Sequence, residues 1–217
     1  MELYHVLNRG VDKRTIFDDD AHCARFVRDI YEFNDIRPAP DAYRRKTWDL
    51  RNPTLAKRKR LIDLHGWCLM KNHYHLLVSE IEDGGLTKFI RKLNVGYANY
   101  YNELHEREGA LFQGRTKKVL IEREAHFLHI LHYIHLNPLD FLEGAKGWRE
   151  GGIASERKAM AFLRTYRWSS FPDYSGQVNF PSILNRELFE EAYGGVVSKT
   201  QRFIKDISWK MEIALLE

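Results

Sequence analysis

His73 and His75 are separated by one residue, so on a β-strand, where side chains alternate, both imidazoles leave the same face. Two neutral ring nitrogens then converge on one point, as a divalent metal requires; the competing reading is a structural or surface pair in a chain with ten histidines. Tyr133 and Asn137 lie four apart in a helical stretch, which stacks a phenol and an amide on one face within a turn. Taken alone, a helical tyrosine is more often a packing residue. Together the four supply what transesterification at phosphorus needs: a metal to polarise the phosphate and offset developing charge, and a phenolate that attacks in line and holds the cleaved strand. With an ordinary pKa of about 10, the phenol needs a nearby cation to ionise near neutrality.

Cations stand close by in the sequence. Arg115, Lys117 and Lys118 lie on or beside a strand leading to the tyrosine helix, and Arg9 lies in the first strand-to-helix turn, where each could grip a DNA backbone or simply be solvated. Residues 37–60 hold nine Lys or Arg against two Asp, a net of +7, which leaves −3 for the rest of a chain whose total is +4. Arg44, Arg45 and Lys46 are the densest part. Such a patch attracts polyanions through counterion release, or is a solvated insertion. Tyr43 and Trp48 sit among these charges, where a ring could stack on an unpaired base or pack. His126, His129, His132 and His135 recur at steps of three, but each step turns the side chain by about −60°, so they fan out instead of forming a second metal site. Only His129 shares the face of Tyr133 and Asn137.

The elements that must position these groups follow from periodicity. Leu3 to Asn8 reads as a strand and Asp18 to Asn34 as a helix burying Phe26, Val27, Ile30 and Phe33. After the proline-broken basic insertion, Leu64 to Met70 and Tyr74 to Ser79 read as a hairpin turning at Lys71-Asn72. Leu86, Phe89, Ile90, Leu93, Tyr97, Tyr100, Tyr101 and Leu104 mark a long amphipathic helix, and a strand ends at Lys118 to Ile121. Strand, helix, strand, strand, helix, strand is the order of the ferredoxin-like split βαβ unit, an α+β fold with an antiparallel sheet. A further helix from about Ala125 to Leu136 stops before Pro138 and carries Tyr133. A Gly-rich stretch follows, then two short C-terminal helices near Arg186 to Ala192 and Lys199 to Ile207. The expected division is a catalytic domain over 1–140, with the insertion at 37–60, and an extension over 141–217 packing on it.

Hydrophobic residues make up 44% of 217, enough for a real core. No run of eighteen apolar residues and no signal-peptide layout occurs, so a soluble cytoplasmic protein without membrane association is expected. Cys23 and Cys68 fit neither a disulfide framework nor zinc-ligand spacing and are expected to be reduced.

The run Leu69-Met70-Lys71-Asn72-His73-Tyr74-His75-Leu76-Leu77-Val78 resembles the His-hydrophobic-His signature of single-tyrosine transposases, particularly the REP-associated type. Leu111-Phe112-Gln113-Gly114-Arg115 and Tyr133-Ile134-His135-Leu136-Asn137-Pro138 resemble that family's strand entry and nucleophile helix, while Tyr4 to Gly10 and Trp168-Ser169-Ser170 match flanking patterns. The order is kept from residue 4 to about 171. Lys71 stands where the family commonly has proline, and Tyr74 is bulky for the residue between the histidines.

The resemblance implies Tyr133 as nucleophile, His73 and His75 as metal ligands and Asn137 in the third-ligand place, where mobile-element relatives usually have Gln. It implies Mg²⁺ or Mn²⁺, a 5′-phosphotyrosine intermediate, a single-stranded or hairpin DNA substrate, a prokaryotic nucleoid-associated setting, and a monomer or dimer. Two other readings share these residues: a rolling-circle nickase, which commonly carries a second tyrosine or a helicase domain, and a non-cleaving DNA-binding regulator.

Overall fold

A computed structural model describes residues 2–38 and 58–205. Arg44, Arg45, Lys46, Tyr43 and Trp48 lie outside the described residues. The β1 strand (Leu3–Arg9) leads into helix α1 (Asp20–Phe33), which starts where the Asp19 carboxylate accepts a bond from the His22 N–H at 2.9 Å. Strands β2 (Ile62–Met70) and β3 (His73–Glu80) form the expected hairpin; helix α2 (Gly85–Leu104) and strand β4 (Lys117–Leu120) complete the unit. The sheet runs β2-β3-β1-β4 with every neighbouring pair antiparallel. That is the ferredoxin-like split arrangement.

Alternation along the strands divides the core in two. Val6, Leu64, Tyr74, Leu76 and Val78 pack against α1 and α2 on one face, with Phe26, Phe89, Leu93 and Tyr97. Leu3, Cys68, Met70 and Leu77 pack on the other face against helix α3 (Glu124–Leu136), with Ile130, Leu131 and Ile134. His73 and His75 are in register with the second set, on the face toward α3. Tyr74, between them, points the opposite way: it is fully buried and its hydroxyl donates to Asn94 Oδ1 at 2.8 Å. Its bulk fills the α1/α2 core and leaves the imidazole face clear.

All seven residues from Ile130 to Leu136 are buried, because α3 lies between the sheet and the C-terminal elements and so needs no polar stripe. Those elements are α4 (Glu156–Thr165), α5 (Phe171–Tyr174), α6 (Glu187–Tyr193) and α7 (Val196–Lys205). Helix α4 follows the Gly-rich stretch; Ser155 caps it and Ala159, Met160 and Leu163 face the core, a pattern too short to stand out among polar neighbours. Trp168-Ser169-Ser170 has a structural task. Trp168 O accepts from Leu69 N at 2.9 Å and Ser170 N donates to Trp67 O at 3.0 Å, so this segment closes the outer edge of β2. Gly66, at a register shift in β2, makes room for α3: a Cβ there would stand 2.5 Å from Leu131 Cδ1. Among the described residues, no helix is long and apolar enough to cross a membrane.

Candidate active site

The face of the sheet toward α3 holds a cavity of about 350 Å³. His5, Arg9, His73, His75 and Lys117 line it from the strands, and Tyr133, Asn137, Asp140 and Arg149 from α3 and the turns after it. Residues separated by up to 144 positions meet here, all from one chain. The Tyr133 ring centre is 5.8 Å from that of His75 and 6.0 Å from that of His5, edge to face in both cases.

Hydrogen bonds fix how the imidazoles face the cavity. His73 Nδ1 lies 2.7 Å from Asn72 Oδ1, and Asn72 Nδ2 donates to Lys13 O at 3.2 Å, which sets the amide's orientation. An oxygen acceptor places the proton on His73 Nδ1 and leaves Nε2 as a lone pair. His75 Nδ1 lies 2.9 Å from His5 Nε2, and its own Nε2 is buried with no hydrogen-bond partner among the described residues. With the His75 proton on Nδ1 and donated to His5, both members of the pair present Nε2 outward, the geometry of metal-binding histidines braced by an outer shell. Burial holds the His73 imidazolium pKa down to about 4, with the charges of Arg9 and Arg149 adding to the effect. His75 is pushed well below the usual range, first by burial and then by His5 and His73. Both rings are therefore neutral at physiological pH, as ligation demands.

Asn137 is fully buried and differently engaged. Its Nδ2 donates to Tyr133 O at 2.8 Å, which turns its Oδ1 toward Arg149, whose Nη2 donates to it at 2.9 Å. Arg149 also donates to Asp140 Oδ1 at 2.7 Å and lies over the Trp148 ring, 4.3 Å from its centre. The imidazole pair thus fits a divalent cation, while the third donor already has a cationic partner in this arrangement.

Other sequence candidates are spread out. Arg9 and Lys117 line the cavity, but Lys118, one residue on, points to the opposite face and donates to Thr87 Oγ1 at 3.2 Å. Arg115 is exposed outside the cavity lining. His129 packs on Phe203, ring centres 4.9 Å apart, and is not among the lining residues. His132 and His135 are buried against the C-terminal elements, bonded to Thr200 and Ser170 respectively at 2.8 Å. Within the basic segment, all four described cations have partners in the fold: Arg37 with Asp35, Lys59 with Glu82, Arg60 with Asp63, and Arg58 over the Tyr31 ring. Residue type and spacing do not single out His5, Asp140 and Arg149, which the fold brings to the cavity. His5 shares the inward face of β1 with Leu3 and Leu7, a signal present in the alternation; Asp140 and Arg149 lie in irregular turns with no periodicity to expose them.

Residues 53–137 of the chain match a family described as transposase, IS200 like. That stretch contains His73, His75, Tyr133 and Asn137. A solved structure titled as the REP-associated tyrosine transposase bound to a REP hairpin is similar over 85% of each chain, with 11% identity and a TM-score of 0.48. No curated protein matches the sequence. The IS200-like stretch thus runs from the end of the basic segment, through the hairpin of paired histidines, to the end of the tyrosine helix.

Proposed function

We propose that the chain is a DNA transposase that cleaves and rejoins single-stranded or hairpin DNA through Tyr133. The observation that carries this is the shared cavity, where the phenol of Tyr133 and the outward Nε2 atoms of His73 and His75 face one space with Arg9, Lys117 and Arg149 around it. A scissile phosphate fits that charge pattern, since three cations stand against the single carboxylate of Asp140. His73 and His75 would hold Mg²⁺ or Mn²⁺, which when bound polarises the phosphate and offsets its charge. Tyr133 Oη gives up its proton to solvent and attacks phosphorus, the phosphotyrosine bond forms as the P–O3′ bond breaks, and the leaving 3′ oxygen takes a proton back from solvent, so no net proton is gained or lost. The bond energy is kept, so a second 3′-hydroxyl can reverse the step without a nucleotide cofactor. Arg9 and Lys117 grip the backbone, and Asn137 fixes the turn of helix beneath the nucleophile through its bond to the Tyr133 carbonyl.

A non-cleaving DNA-binding protein is the second reading, favoured by one observation: Arg149 occupies the Asn137 oxygen. One experiment separates the two. Labelled single-stranded hairpin DNA is incubated with the protein and Mn²⁺, and SDS-resistant adducts are resolved on a gel. The transposase gives an adduct that Tyr133→Phe abolishes while DNA binding persists. Binding with no adduct across metals and hairpins supports the regulator, and adducts from Tyr133→Phe would remove Tyr133 from the chemistry.

A further inference from the structure

On the other face of the sheet from this cavity, α1 and α2 bring a second pair of histidines together. His22 Nε2 and His105 Nε2 are 3.1 Å apart, and Asp18 Oδ2 lies 3.9 Å from the His105 nitrogen. All three ligand atoms fall within 4.8 Å of one another. The surroundings are ordered for ligation. Asp19 Oδ1 lies 2.8 Å from His22 Nδ1, so the proton sits on Nδ1 and the buried His22 presents Nε2 as a lone pair. This carboxylate–imidazole brace is the outer-shell device of metal-bound histidines. The Tyr101 hydroxyl donates to Asp18 Oδ2 at 3.2 Å, and its ring lies under His105 at 4.1 Å between centres.

We propose that Asp18, His22 and His105 form a second divalent-cation site, of the kind Zn²⁺ prefers, which fastens the start of α1 to the end of α2. A tetrahedral ion with Zn–N bonds of about 2.0–2.1 Å sets its ligand nitrogens about 3.3 Å apart, close to the separation found here. Without an ion the nitrogens can share only one proton, donated by His105 to His22. On binding, His105 changes tautomer, losing the Nε2 proton to solvent and taking one up at Nδ1 with no net release, and the exposed Asp18 carboxylate closes in by rotating. Two imidazoles, one carboxylate and a water complete four-coordination, and the half-exposed His105 and Asp18 leave a path for the ion. The set is independent of the nucleophile assignment, since none of its members lines the Tyr133 cavity.

The test uses the full chain carrying His73→Ala and His75→Ala, which removes the sheet pair. Calorimetric titration with Zn²⁺ is expected to give one equivalent bound, and Co²⁺ the visible absorption of a four-coordinate ion. Adding His105→Ala or Asp18→Asn, both at exposed positions, should weaken binding at least tenfold and abolish the zinc-dependent rise in Tm. The same loss of one equivalent is expected when His105→Ala is made in the unaltered chain, which covers a double variant that fails to fold. Absence of bound zinc in the folded double variant, or binding that survives both His105→Ala and Asp18→Asn, overturns the proposal.

Discussion

His5 Nε2 lies 2.9 Å from His75 Nδ1, so that with His5 as acceptor His75 keeps its proton on Nδ1 and offers Nε2 to the cavity as a lone pair. The two rings are stacked with centres 5.1 Å apart, and both are buried. Losing the acceptor on His5 would let the His75 proton move to Nε2, where it blocks ligation. His5→Ala is therefore expected to reduce Mn²⁺ affinity roughly 10–100-fold, with adduct yield falling in step at limiting metal. His5→Gln, which restores an acceptor, should recover most of the loss. Mn²⁺ binding followed by electron paramagnetic resonance is the direct measure, and equal affinities in His5→Ala and the parent would dismiss the brace.

The strand order and the shared face of His73 and His75 were legible in the sequence because alternation is a local property of an extended chain. Tyr133 and Asn137 were legible for the matching reason, four residues being one helical turn. What alternation does not carry is pairing across strands. His5 meets His75 only because the register sets Leu7 opposite His75 and His5 opposite Leu77, so that the two rings reach diagonally. Asp140 and Arg149 were hidden for another reason: each lies in a short 3-10 turn, Asn137–Phe141 and Trp148–Glu150, whose packing follows from the tertiary fold. Of the basic segment, net charge alone did not show that Arg37, Arg58, Lys59 and Arg60 are engaged within the fold; its other cations lie outside the described residues.

Arg149 holds the Asn137 oxygen, and removing it separates two roles. If Asn137 serves as third donor, Arg149→Ala should raise Mn²⁺ affinity in the absence of DNA by releasing Oδ1. The same change removes a cavity cation, so the slope of log K against log salt for hairpin binding should fall by about one. Titrations of metal alone and of DNA at several salt concentrations check both halves. Unchanged metal affinity would confine Asn137 to its bond with the Tyr133 carbonyl.

Gly66 governs how closely α3 approaches β2. An alanine Cβ would come within 2.5 Å of Leu131 Cδ1, two residues before Tyr133. Because Leu131 is fully buried, the strain has no easy outlet, and overpacking of this kind costs about 1–3 kcal/mol. Gly66→Ala should lower the urea midpoint and also the adduct yield at saturating metal, since α3 must shift away from the histidines. Combined with Leu131→Ala, the loss of stability should be smaller than the sum of the two single effects. Simple additivity in that cycle would show that the helix does not rest on this contact.

Buried neutral histidines make stability fall with acid. Burial holds His65, His132 and His135 below the ordinary imidazole range, His132 at about 3 with His129 and Lys199 adding to the effect. The unfolded chain binds these protons near pH 6.5 and the folded chain at lower pH, so the stabilisation is complete above 6.5 and declines as pH falls, for His132 down to about 3. Each such histidine contributes up to about 1.4 kcal/mol per pH unit within that window. Urea unfolding at pH 7.5, 6 and 5 should show a steep decline, and His132→Phe should make it shallower by about one proton. Loss of the Thr200 hydrogen bond in that variant lowers stability by a similar amount at every pH, so the slope reports titration and the offset reports the bond. An unaltered slope would mean that His132 already carries its proton in the folded protein, and its stacking on Tyr193 would then have to be read as an imidazolium contact.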